Sequence, residues 1–314
     1  MVFLSGGPPE PVGGGPAVMF PGQGSQREGM FRAWLSADLE SRRLLDEAAD
    51  ILKWPSGRWA ELNESPDLHR TENAQPALYV VCLAAWRKWQ ERGTVEPRVL
   101  LGHSLGELTA LAAAGSLSFA DGLRLVQRRG LAMAAADPGG GMVAVLGLDA
   151  EKVASVIADR AAPGIVIANF NSPRQVVLSG PAAELERAQK PLRQAGARLV
   201  ALRVSVACHS PRMEGAAKEL RPVIESLPVR PPRWPVISNV TGRPHGGPEE
   251  IRRRLREHIT SPVRFQQSLE WVLQRQIRDF VEIGPGDALV GLVRQLDRGC
   301  HLTRFDGSGT EEAT

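Results

Sequence analysis

The chain has 314 residues, 43% of them hydrophobic, with 38 Lys and Arg against 35 Asp and Glu, a formal net charge of +3. That length and apolar content fill a large buried core, and no apolar run approaches the roughly 20 residues that a membrane-spanning helix needs. The positive excess is scattered, with no basic run interleaved by aromatics, which argues against nucleic-acid binding, and the three widely spaced cysteines form neither a disulfide framework nor a metal signature, which points to the cytoplasm.

In chain order, "MVFLSGGPPEPVGGG" lacks the basic start and apolar stretch of a signal peptide, so residues 1–16 are expected as a disordered lead. From Ala17, "AVMF" reads as a short strand and "PGQGSQ" as the glycine-rich turn after it. Pro76 to Gln90 has helical spacing with an apolar face. "RVLLGHS" is a buried strand running into a tight turn, "LGELTALAAAG" a helix stopped at Gly115, and "SFADGLRLVQRRGLAMAAA" a second helix opened by Ser118 and Asp121 in a capping-box-like start.

The texture changes at "DPGGGM" (Asp137 to Met142), which reads as a linker. Beyond it, strand, helix, two strands, helix and strand follow in turn, the last being "ARLVALRVSV", a split β-α-β-β-α-β pattern over residues 138–206. "WPVISNVTG" then reads as strand plus turn, "RDFVEIGPGDALVGLVRQL" as strand, turn and helix, and residues 306–314 as a disordered tail. The expected fold class is α/β. A large parallel-sheet body (17–137 and 207–305) is interrupted by a small ferredoxin-like domain (138–206).

Gly102-His103-Ser104-Leu105-Gly106 fits G-x-S-x-G, the sharp strand-to-helix turn that presents a serine hydroxyl at the end of a sheet beside a helix N-terminus. Such a serine needs a base. Of the six histidines, His103 adjoins Ser104 on the turn, where neighbouring side chains diverge. His69 and His245 fall in polar, turn-rich stretches and are expected exposed, and His301 lies near the tail. His209, at the turn after a strand, is the first candidate and His258 the second, because strand ends are where α/β folds collect reacting groups. On a helical wheel Arg129 flanks the apolar face set by Val126 and Met133, whereas Arg128 points away. An Arg placed there pairs with a structural carboxylate or grips a substrate carboxylate.

Taken together, these motifs resemble the malonyl-CoA:acyl-carrier-protein transacylase family, which serves fatty-acid and polyketide synthesis. The matching stretches are "FPGQGSQ", "TENAQPAL", "GHSLGE", "RLVQRRG", "NFNSPRQVVLSG", "VSVACHS", "TSPVRF" and "EIGPGDAL", in the family's order from about residue 18 to 295. The resemblance implies a hydrolase-like α/β body with an inserted ferredoxin-like domain. It also implies a Ser–His pair in which Ser104 takes the acyl group and His209 is base, then acid. The backbone amides of Gln23 and Leu105 would form the oxyanion hole, Arg129 would hold the malonyl carboxylate with Gln75 beside it, and Asn169 and Asn171 would lie near the cleft. The resemblance further implies no permanently bound cofactor, malonyl-CoA as substrate, a phosphopantetheinylated acyl carrier protein as partner, and a monomer.

Two positions depart from the common pattern. Many bacterial members carry Gln where His258 falls, a position described as supporting the catalytic His through its backbone carbonyl. Cys208 replaces the Ser of fatty-acid-type enzymes or the Phe of malonyl-specific polyketide domains, and its small side chain leaves room for methylmalonyl or ethylmalonyl groups. The other readings of the same residues are a proofreading acyl hydrolase, a non-catalytic docking subunit and the malonyl-loading subunit of a malonate decarboxylase.

Overall fold

The computed structural model describes residues 13–35, 39–55, 57–93, 95–159, 164–202, 204, 206–307 and 311–313. Most of the expected lead, residues 1–12, lies outside them.

Strand β1 (Ala17–Phe20) is completely buried, as befits a continuous apolar run at the centre of a parallel sheet. Helices α1 (Arg32–Leu35), α2 (Leu39–Leu52), α3 (Arg58–Asn63) and α4 (Thr71–Glu91) lead to β2 (Val99–Gly102), from which the chain turns into α5 (Leu105–Ala113) and α6 (Phe119–Ala136). Ser118 caps α6 by accepting the Asp121 amide at 3.0 Å, as its position before the apolar repeat requires. Helices α4 and α6 pack side by side and bring Gln75 and Arg129 together under the sheet.

A second layer follows: β3 (Gly140–Leu146), α7 (Ala150–Asp159), β4 (Val166–Ser172), β5 (Gln175–Pro181), α8 (Ala182–Gln194) and β6 (Arg198–Ala201). Its strands form an antiparallel sheet in the order β4-β5-β3-β6. The period of two sorts its side chains. Val143 and Val145 join Val153, Leu185 and Leu192 in a small core under α7 and α8, while Met142 and Ala144 turn toward the main body.

The chain then forms α9 (Glu214–Ser226), β7 (Ile237–Ser238), β8 (Arg243–Pro244), α10 (Pro248–Glu257), α11 (Phe265–Gln274), β9 (Asp279–Ile283), α12 (Ala288–Leu296), β10 (His301–Phe305) and β11 (Glu311–Ala313). The main sheet runs β11-β10-β9-β1-β2, parallel except for β11. Val263 stitches the layers: its amide donates to Ala168 at 2.8 Å and its carbonyl accepts from Phe170 at 2.9 Å.

Two expectations need correction. The final strand of the small sheet is Arg198–Ala201, an edge strand paired with β3 alone; of the longer "ARLVALRVSV" stretch, 202, 204 and 206 lie past its end and 203 and 205 lie outside the described residues. Residues 311–313, expected within a tail, pair antiparallel with β10, whose outer backbone groups would otherwise stand open at the sheet edge.

Candidate active site

Ser104 sits between the end of β2 and the start of α5 with φ 52° and ψ −110°, a conformation few non-glycine residues adopt. Two glycines make the turn possible. A Cβ on Gly102 would lie 2.0 Å from the Gly106 carbonyl carbon, and one on Gly106 would lie 2.0 Å from the Phe20 oxygen. Asn239 pins the turn from the β7 side: its Oδ1 accepts the Ser104 amide at 2.6 Å and its Nδ2 donates to the Gly102 carbonyl at 2.7 Å.

His209 Nε2 lies 2.7 Å from Ser104 Oγ. Its Nδ1 stands 3.0 Å from each of two backbone carbonyls, those of His258 and Ser261. Carbonyls only accept, so Nδ1 carries the proton and Nε2 offers its lone pair to the serine hydroxyl. Burial, reinforced by His258, Arg129 and His103, holds this imidazole well below its ordinary pKa, so it is neutral at pH 7 and able to act as a base. His258 enters the site through its main chain; its ring faces away, with Nε2 3.3 Å from Glu107 Oε2.

Arg129 is 3% exposed. Its Nη1 donates to Gln75 Oε1 at 2.8 Å and its Nη2 to Ser104 Oγ at 3.1 Å. Burial lowers its pKa to about 10, which leaves it cationic at neutral pH, and among the described residues no carboxylate forms an ion pair with it. These groups open into a cavity of about 260 Å3 between the two layers, walled by Gln23, Asn169, Asn171, Met142, Val177 and Cys208 among others. Gln23 is anchored to Thr71 Oγ1 at 3.0 Å, and Asn171 Oδ1 accepts from His103 Nε2 at 2.8 Å. Leu105 is fully buried as the first residue of α5, so its backbone amide lies at that helix's N-terminus. Burial pushes the Cys208 thiol up to about 11, so it stays protonated beside His209.

Three residues that sequence reasoning left out belong to this site's framework: Asn239, Glu107 and His245. His245, expected exposed, is 1% exposed, with Nε2 2.9 Å from Glu107 Oε1. Its local sequence, "GRPHGGP", is polar, and the partner that buries it lies 138 positions away. For Asn239 the only signal was its place at a strand end. Among the described residues no cluster of His, Cys, Asp or Glu could hold a metal ion, and no helix is long and apolar enough to cross a membrane.

A serine on a strained strand-to-helix turn, an imidazole oriented by carbonyls and a nearby guanidinium define an acyl-transfer type of site. Residues 18–299 match the family model of the acyl transferase domain, and the chain belongs to that family. Within it, the chain is similar to the malonyl CoA-acyl carrier protein transacylase of Bacillus subtilis, 38% identical over 90% of each chain. It is 43% identical over 93% of its length to the polyketide biosynthesis protein ThaF of Burkholderia thailandensis, of which it spans 25%. Among solved structures, the transacylase of Coxiella burnetii superposes with a TM-score of 0.87 at 33% identity, covering 93% of this chain and 94% of that one. A malonyl-transacylase in complex with its type II PKS acyl-carrier protein gives a TM-score of 0.86 at 35% identity, covering 92% and 94%.

Proposed function

We propose that this acyl transferase moves a malonyl group from malonyl-CoA, through an ester on Ser104, to the phosphopantetheine thiol of an acyl carrier protein. The observation that carries this reading is the Arg129 guanidinium, buried, braced by Gln75 and 3.1 Å from the Ser104 hydroxyl. A malonyl ester on Ser104 carries its free carboxylate one methylene beyond the ester carbonyl, beside that guanidinium. A planar donor fork in a buried site suits a carboxylate and offers nothing to a plain alkyl acyl group.

In the first half-reaction His209 Nε2 takes the Ser104 proton as Oγ bonds to the thioester carbon. The oxyanion is held by the amides of Gln23 and Leu105. The C–S bond breaks, and CoA leaves with the proton from His209. In the second, His209 takes the proton of the carrier thiol, the sulfur attacks the ester, the C–O bond breaks and Ser104 recovers its proton. The two carbonyls on Nδ1 stabilise the imidazolium in both halves. Holding the ester's carboxylate in one pose favours an oriented thiol over diffusing water.

The malonyl transacylase names among the relatives support the donor, and the relative solved with its carrier protein supports the acceptor. A groove carrying the exposed Arg174, Arg294 and Arg298 runs beside the cleft: Gln295 in the groove donates at 3.3 Å to Oε1 of Gln175, a residue of the cleft wall. Such a surface suits the phosphates of CoA and an acidic carrier. We take residues 138–206 as a domain inserted into the body formed by 17–137 and 207–305, with the cavity at their junction. The three free cysteines support a cytoplasmic location.

Initial rates measured over a matrix of malonyl-CoA and holo carrier protein test the reading. The account expects the parallel double-reciprocal lines of a ping-pong cycle. Release of malonate at the same rate with and without carrier would overturn it in favour of a hydrolase.

A further inference from the structure

We infer that Glu107 is the positioning residue of this site, one buried carboxylate that sets the nucleophile turn through Asn239 and the seat of the base through His258. The inference rests on the acyl-transfer reading above and adds a residue to it.

Glu107 is the third residue of α5, one turn from Ser104, and is fully buried. Its Oε2 accepts the Asn239 amide at 2.6 Å, and the same oxygen lies 3.3 Å from His258 Nε2. Its Oε1 lies 2.9 Å from His245 Nε2. Each contact leads somewhere. Asn239 holds both ends of the nucleophile turn, at the Ser104 amide and the Gly102 carbonyl. The His258 carbonyl is one of the two acceptors that fix the His209 tautomer. His245, whose amide donates to Val236 at 2.8 Å, locks the β7–β8 hairpin that carries Asn239. Serine and histidine are 105 positions apart, and their 2.7 Å contact depends on two separate backbone segments keeping their spacing. Glu107 is the group that touches both.

A simple structural filler would not be a carboxylate. Burying one costs far more than burying an apolar side chain of that size. Burial alone would raise its pKa; the facing His258 and His245 imidazoles outweigh that and hold it well below the usual carboxylate range, so it stays an anion that accepts from the Asn239 amide and faces both imidazoles. The first turn of a helix also favours negative charge.

The test is single-turnover transfer by Glu107→Gln, with the amplitude of acyl-enzyme formed from malonyl-CoA used to count competent sites. Glutamine keeps the shape and one acceptor but turns a donor toward the imidazoles. The expected result is a rate per competent site lower by roughly 10- to 100-fold, the scale of a small misplacement of reacting groups, with KM for malonyl-CoA unchanged and partial recovery in Glu107→Asp. A rate per site within twofold of the parent, or a loss confined to KM, overturns the inference. Absence of any acyl-enzyme in the parent protein would instead overturn the acyl-transfer reading.

Should Glu107→Gln fail to fold, Asn239→Ala, His258→Ala and their double variant decide. If both act through one carboxylate, the double variant loses clearly less than the product of the two single losses. Losses that simply multiply contradict a shared anchor.

Discussion

Replacing Arg129 by Ala removes a buried cation that donates to the Ser104 hydroxyl. Leaving a buried charge without its partner costs about 3–5 kcal/mol. The substrate carboxylate approaches from an open cleft and Arg129 already shares Nη2 with Ser104 Oγ, so the lower end applies. At 1.36 kcal/mol per decade this is a fall of roughly 10²-fold or somewhat more in kcat/KM for malonyl-CoA. Acetyl-CoA has no carboxylate to lose, so its kcat/KM should stay level or rise, and the preference between the two thioesters should collapse. Stability gives an independent check. Burial holds the Arg129 pKa down to about 10, so the folded state is penalised for carrying this charge below that pH, and its removal relieves about 3 kcal/mol at most. That gain roughly offsets the lost packing and the orphaned Gln75, so Tm should move little. Initial rates with both thioesters, beside a thermal melt, make the measurement. Malonyl transfer within threefold of the parent, with the fold intact, would refute the clamp.

Because burial holds the His209 imidazole well below 6.5, the kcat/KM profile should stay level as pH falls through that value and decline only beneath it; an acid limb at or above 6.5 would contradict the assigned environment. Glu282, buried and accepting the Leu289 and Val290 amides, has its pKa raised to about 7 by burial. The native state therefore holds a proton that the unfolded chain releases near 4.5, and stability is lost as pH rises from there to about 7. Glu282→Gln should then raise Tm at pH 8, by the equivalent of up to about 3 kcal/mol, and leave it unchanged at pH 4, as paired melts would show. Cys208→Phe fills the cavity next to His209 and should depress methylmalonyl transfer more than malonyl transfer in competition assays. Arg294→Glu should raise KM for the carrier and weaken the salt dependence of transfer, with the rate of self-acylation from malonyl-CoA less affected.

Local pattern revealed much of this site. The turn around Ser104 is readable because its glycines are forced by contacts a few residues away and by β1, its sheet neighbour. The α6 wheel put Arg129 at the margin of an apolar face, and the structure places it inside, against Gln75, a partner the wheel could not supply. The histidines divide by whether their local sequence marks their place, since the contacts of both His209 and His245 are long-range. His209 was legible from its place after a strand. His245 was not, because its burial depends on Glu107, far away in sequence, and nothing in a Gly- and Pro-rich turn announces that. The pairing of residues 311–313 was hidden for a similar reason: it depends on an open sheet edge at β10 rather than on any strong strand propensity in "EEA". Backbone acceptors are invisible to side-chain reasoning, so spacing alone offers His258 as a second base although its contact with His209 is through its carbonyl.

The most direct test is the intact mass of the protein after malonyl-CoA is added, followed by addition of holo carrier protein. The account predicts one malonyl adduct, absent in Ser104→Ala, that persists in water and passes to the carrier thiol. No adduct, or one that is lost as free malonate before the carrier arrives, would contradict it.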